Sequence, residues 1–198
     1  PADAYSAFAP GAARLPPKLR LGVPKKADVD AASGYAAAWQ LAQAHACELG
    51  HELVALDFGP LHEVAALLYE GPWVAERHAA CRAIFDPQPE AMDDTVRRVI
   101  ARAASFSATQ LFEAQYRLRE MQQRLQALWQ EVDALLVPTA PTHPRFAEVD
   151  ADPIGVNARL GTYTNFVNLL GWCALAVPAQ PCADGLPFGV TFIARAGL

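Results

Sequence analysis

The part of the chain that most limits its fold comes early. Leu19 to Val23 is a short apolar run stopped by Pro24, and His51 to Phe58 (HELVALDF) is a second strand-like run. Between them, residues 29–49 carry Tyr35, Trp39, Ala42, Ala46 and Leu49 at helical spacing, and Gly50 stands where a helix is capped. Strand, helix and strand in that order form a crossover unit, which favours parallel pairing of the two strands.

The remaining segments extend the same pattern. A helical region over 61–85 is broken at Gly71-Pro72, because proline cannot donate to the preceding turn and its ring clashes there. A further helix is expected over 93–105. A long helix follows, in which Ser107 and Gln110 have capping-box spacing and Phe106 and Leu111 have hydrophobic-staple spacing. Its apolar stripe runs through Leu111, Leu118, Leu125, Leu128 and Val132. A short strand at Ala134 to Val137 ends at Pro138, residues 157–171 read as helix, and strands at Ala174 to Val177 and Phe188 to Ile193 flank a turn at Ala183-Asp184-Gly185. The fold class is therefore α/β, a mixed β-sheet surrounded by helices. Residues 1–17, rich in Ala, Pro and Gly, read as an arm or linker. The chain opens at Pro1 without a methionine, and both ends read as those of a piece of something longer.

Composition narrows the function. With 53% hydrophobic and 19% charged residues among 198, the chain builds one domain with a sizeable core. A net charge of -5 with no Lys/Arg run argues against nucleic acid as a partner. No apolar stretch has transmembrane length, and no secretory signal opens the chain. Cys47, Cys81, Cys173 and Cys182 are widely spread, as in a cytoplasmic protein with reduced thiols.

No nucleophile declares itself. Ser6 lies in the arm, Ser33 in the first turns of a helix, and Ser105 and Ser107 flank a helix start; none sits in a GxSxG elbow. His78 and Cys81 share a helix face, but two ligands make no zinc site. The Asp57-Phe58-Gly59 triplet lacks the other loops of a kinase. The informative segment is Tyr69-Glu70-Gly71-Pro72-Trp73-Val74-Ala75-Glu76-Arg77. A broken helix can aim a phenol before the break and a guanidinium after it into one cleft. Arg grips a carboxylate with two hydrogen bonds and Tyr adds a third, which suits a small, planar, anionic substrate. The ordinary alternative stays open: Tyr69 packs at a helix end and Arg77 pairs with a surface glutamate.

Several stretches resemble allophanate hydrolases of the amidase-signature family: LLYEGPWVAER (Leu67 to Arg77), VPTAPTHP (Val137 to Pro144), LGTYTNFVNLLGWCALAVPA (Leu160 to Ala179), GLPFGVTFIA (Gly185 to Ala194) and PADAYS (Pro1 to Ser6). They span essentially the whole chain in order, and YEGPWVAER is the part that points to allophanate hydrolase in particular. The resemblance implies hydrolysis of allophanate (N-carboxyurea) to ammonia and carbon dioxide in urea or cyanuric acid nitrogen use. It implies a homodimeric parent, a functional link to urea carboxylase, and no metal or cofactor. It places Tyr69 and Arg77 on the substrate, with Arg77 on its carboxylate; Thr139 and Asn165 match pocket positions more loosely. The family's Ser–cis-Ser–Lys triad belongs to a Gly/Ser-rich region, and nothing here matches it: the lysines are Lys18, Lys25 and Lys26, with no Gly-Ser-Ser run after them. Residues 1–198 are therefore expected to be the C-terminal half of one amidase-signature domain, with substrate-binding but no catalytic residues, inactive alone and prone to self-association. The other readings are a biuret- or malonamide-type amidase, which would leave Arg77 without a partner, and a non-catalytic binding module.

Overall fold

The structure, a computed structural model, describes residues 15–31 and 34–197. The expected arm over 1–17 therefore lies, apart from its last three residues, outside the described residues, as do Ser6 and Ser33. The chain runs β1 (Arg20–Pro24), α1 (Tyr35–Glu48), β2 (Glu52–Leu56), α2 (Gly59–Glu70), α3 (Val74–Phe85), α4 (Asp94–Ala101), α5 (Ala108–Leu125), α6 (Leu128–Glu131), β3 (Ala134–Pro138), α7 (Phe146–Ala151), α8 (Pro153–Leu160), α9 (Asn165–Leu170), β4 (Cys173–Pro178) and β5 (Gly189–Ala194). Short 3₁₀ turns at Pro89–Ala91 and Arg102–Ser105 flank α4.

The sheet order is β2-β1-β3-β5-β4. β1 pairs in parallel with both β2 and β3, and β5 runs antiparallel between β3 and β4. This is the mixed sheet with helices that the sequence led us to expect. β3 lies at its centre with all five residues buried. Alternation sends Leu135 and Val137 to one face, under Leu61, Val64, Met121, Trp129, Phe166 and Leu170, while Ala134 and Leu136 join Leu21, Val23, Tyr35 and Trp39 under α1 on the other. Each strand side thus meets its own helical layer.

A junction at the entry of the central strands fixes their register. The Arg20 N–H donates to Asp133 Oδ2 at 2.8 Å, the Asp133 N–H donates to the Arg20 carbonyl at 2.9 Å, and the Arg20 guanidinium reaches Asp133 Oδ1 at 3.2 Å and the Gln130 carbonyl at 3.0 Å. The Arg20 backbone N–H, with the guanidinium behind it, holds the Asp133 carboxyl below its ordinary range.

Three expectations shift at their edges. α1 begins only at Tyr35, because Gly34 takes a left-handed φ of 78° and cannot continue a helix backwards. The helix expected over 157–171 divides into α8 and α9. Between them the chain turns at Gly161 to Thr164, and a side chain at Gly161 would meet the Asn165 amide at 2.2 Å. The 93–105 helix is α-helical only to Ala101. The capping box is present: Ser107 Oγ accepts from the Gln110 N–H at 3.2 Å and Gln110 Oε1 from the Ser107 N–H at 2.8 Å. No helix among the described residues is long and apolar enough to cross a membrane.

Two measurements follow. Ser107→Ala frees an orphan N–H of α5 and lowers stability by about 1 kcal/mol in chemical denaturation. Asp133→Ala lowers it by about 1–2 kcal/mol at neutral pH. The Asp133 contribution is present above the unfolded carboxyl pKa of about 3.9 and is lost as pH falls through the lower folded value, so wild type and variant converge in acid.

Candidate functional site

The segment singled out in the sequence forms a corner between two helices. α2 is pinned by Leu61, Val64 and Leu67, all buried, while α3 buries only Val74. Gly71 turns extended, with φ -97° and ψ 179°, and its N–H closes the last turn of α2 on the Leu67 carbonyl at 3.0 Å. Pro72 is buried and Trp73 packs against the α2 side of the core. The new helix takes its first bonds from Ala75 to Pro72 and from Glu76 to Trp73. Proline here sits at a helix start, where its missing donor is not needed.

The corner brings the two predicted side chains together. The Arg77 guanidinium carbon lies 5.5 Å from the centroid of the Tyr69 ring, within cation–π range, and both residues are half-buried. Among the described residues Arg77 forms no ion pair. The expected alternative of a guanidinium tied to a surface glutamate is thus not what the structure contains. A guanidinium held over a ring by its charge keeps its N–H groups for a planar acceptor.

The two looser candidates sit elsewhere. Thr139, just past β3, shares a 2.9 Å hydrogen bond with Thr191, and its N–H donates to the Gly189 carbonyl at 3.0 Å. Asn165 opens α9, its N–H bonded to the Gly161 carbonyl at 2.9 Å. No hydrogen bond or ring contact among the described residues joins either to Tyr69 or Arg77.

A second constellation escaped the sequence reading. Past the C-terminal ends of the parallel strands, the loop after β1 is clamped by Tyr163. The Asp28 N–H donates to the phenol oxygen at 2.6 Å, and the phenol lies 3.3 Å from the Asp28 carbonyl. The Tyr163 ring stands edge-on to Phe58 and His62, each at 6.3 Å. Burial pushes the Tyr163 phenol up and His62 down, with Asp57 and Asp28 opposing the shift at His62. Asp30 extends the tether, its N–H on the Pro141 carbonyl at 2.9 Å and its carboxylate accepting from Thr142 at 3.3 Å. Such strand ends are where α/β sheets place ligands. Tyr163 lay unmarked inside the run read as one helix, and only its partner 135 residues away gives it meaning.

The remaining candidates have structural occupations. His78 meets Asp86 at 3.3 Å and packs edge-on to Phe85 at 5.0 Å. Cys81 is a half-buried free thiol. Ser105 donates to the Arg102 carbonyl at 2.7 Å, and Ser107 is a cap. Among the described residues no group of three or more His, Cys, Asp or Glu side chains could hold a metal ion. A groove of about 650 Å³ lies on the α1 face, between Leu41, His45, Leu49, Leu136, Val177 and Phe192, opposite the face that α2 covers.

Comparison with known proteins places this architecture. The Amidase family profile matches residues 1–198. The urea amidolyase of Saccharomyces cerevisiae is 44% identical over 148 residues, covering 74% of this chain and 8% of that protein. Among solved structures, the Kluyveromyces lactis allophanate hydrolase superposes with a TM-score of 0.90 at 37% identity over 96% of this chain and 32% of its own. The K. lactis urea amidolyase superposes at 0.87 with 38% identity, over 92% and 11%. The chain therefore spans about a third of the allophanate hydrolase and about a tenth of the urea amidolyases. Matched over its whole length and folded as these relatives are, it belongs to the Amidase family.

Proposed function

We propose that residues 1–198 are part of the amidase domain of an allophanate hydrolase and carry the substrate-anchoring half of its site. The observation that carries this reading is Arg77, half-buried, held over the Tyr69 ring and, among the described residues, paired with no carboxylate. Allophanate is a small planar anion whose carboxylate fits the in-plane edge of such a fork, and the Tyr69 phenol supplies one directional hydrogen bond beside it. The 44% identity to a urea amidolyase and the 0.90 superposition on an allophanate hydrolase support the same substrate.

In this reading the attacking serine, the cis-serine that relays its proton and the lysine base come from polypeptide outside residues 1–198. Backbone N–H groups of the same missing region stabilise the oxyanion. The chain alone binds weakly and turns over nothing; the assembled enzyme, a cytoplasmic homodimer, acts on the product of a urea carboxylase. The shorter span relative to its relatives and the apolar edge at β4, where Ala174, Leu175 and Ala176 are exposed, support the domain assignment.

Ammonia release from allophanate tests the activity. The isolated chain gives background only. In the complete enzyme Arg77→Ala lowers kcat/KM by about two orders of magnitude, mostly through KM. An Arg77→Ala enzyme that keeps its kcat/KM removes the carboxylate reading and leaves a neutral amide as substrate. In sedimentation the isolated chain associates with rising concentration; a monodisperse monomer with a sharp cooperative melt argues against its being part of a larger domain.

A further inference from the structure

Arg77 owes its place to a residue that never touches it. A side chain on Gly71 would put its Cβ 2.5 Å from the Leu67 carbonyl oxygen, a backbone atom that no rotamer change can move aside. The φ of Gly71, -97°, is open to any residue, so the demand for glycine here comes from space and not from backbone conformation. Relief requires roughly half an ångström or more at the corner. One helix must give, and the two are held unequally. Leu61, Val64 and Leu67 anchor α2 in the core, whereas α3 buries only Val74 and rests mainly on α4 and the 3₁₀ turns on either side of it. α3 is the element that swings, and Arg77 rides on it one turn beyond its pivot.

We propose that Gly71 is the positioning residue of the substrate-carboxylate site: the absence of a side chain lets the corner close on the Leu67 carbonyl and so sets the Arg77 fork over the Tyr69 ring. This rests on the reading of Arg77 given above. Bidentate recognition tolerates displacements of only about half an ångström, the scale of the opening a methyl group forces. Pro72, buried behind the glycine, fixes the next φ and limits the angle from the other side.

The test uses the complete enzyme and two inhibitors of one skeleton that end in a carboxylate or in a neutral amide. Malonamate replaces the central nitrogen of allophanate with a methylene and keeps the carboxylate; malonamide is its neutral counterpart. Gly71→Ala is expected to raise the inhibition constant of malonamate about tenfold and leave that of malonamide within about twofold. Pro72→Ala, which keeps the glycine, shows the same selectivity at about threefold, and carries the test by the same criterion if Gly71→Ala does not fold. Equal loss for both inhibitors, or loss for neither, overturns the positioning role. Arg77→Ala separates this from the function itself: if it retains malonamate as wild type does, the carboxylate site is wrong; if it loses malonamate while Gly71→Ala does not, only the role of Gly71 is wrong.

Discussion

Everything in this molecule is arranged around β3. Its five residues are buried on both faces, so the strand can exist only if a helical layer closes over each side. The sequence that follows from this is strict. Leu135 and Val137 need α2, α5 and α9 above them, while Ala134 and Leu136 need α1 below. Charge is admitted at the polar entry to the strand, where both oxygens of Asp133 are bound by Arg20. A small apolar strand with a tightly bonded polar start is enough to set the register of the sheet's centre.

The candidate site depends on that frame at one remove. α2 is a rigid member because it is pressed against the β3 face, and the corner at Gly71 converts its rigidity into a defined direction for α3. The guanidinium is then placed by two things, the Tyr69 ring beneath it and the helix that carries it. Tyr69 and Arg77 are carried by elements held through apolar packing, and among the described residues Arg77 has no ionic partner that a carboxylate ligand would first have to displace. That is preorganisation by burial, and it keeps the positive charge uncommitted.

What could be read from the sequence was what is local. The Ser107–Gln110 box, the Gly71-Pro72 break and the strand–helix–strand opening are each set by residues within a few turns of one another, and each stands in the structure. Tyr69 and Arg77 were legible for the same reason, since a single helix break explains their meeting. What escaped depends on distance or on crowding. Nothing near Tyr163 announces a bond to the Asp28 backbone, and nothing in the 157–171 run marks a turn until the Asn165 amide is seen filling the space beside Gly161. The buried faces of Met121 and Trp129 were passed over because the leucine stripe beside them was the stronger periodic signal.

The junction of Arg20 with Asp133 has a consequence in time as well as in space. The first strand finds β2 across a short connection, with Leu19 and His51 bonded only 32 residues apart. Its bonds to Asp133 must wait for a loop of 113 residues to close, with six helices, α1 to α6, inside it. A chain built this way gathers its outer parallel pair quickly and completes its centre slowly, so the half-made sheet shows an open strand edge for most of its folding time. Whatever shields that edge in the meantime governs how much of the polypeptide reaches its folded form.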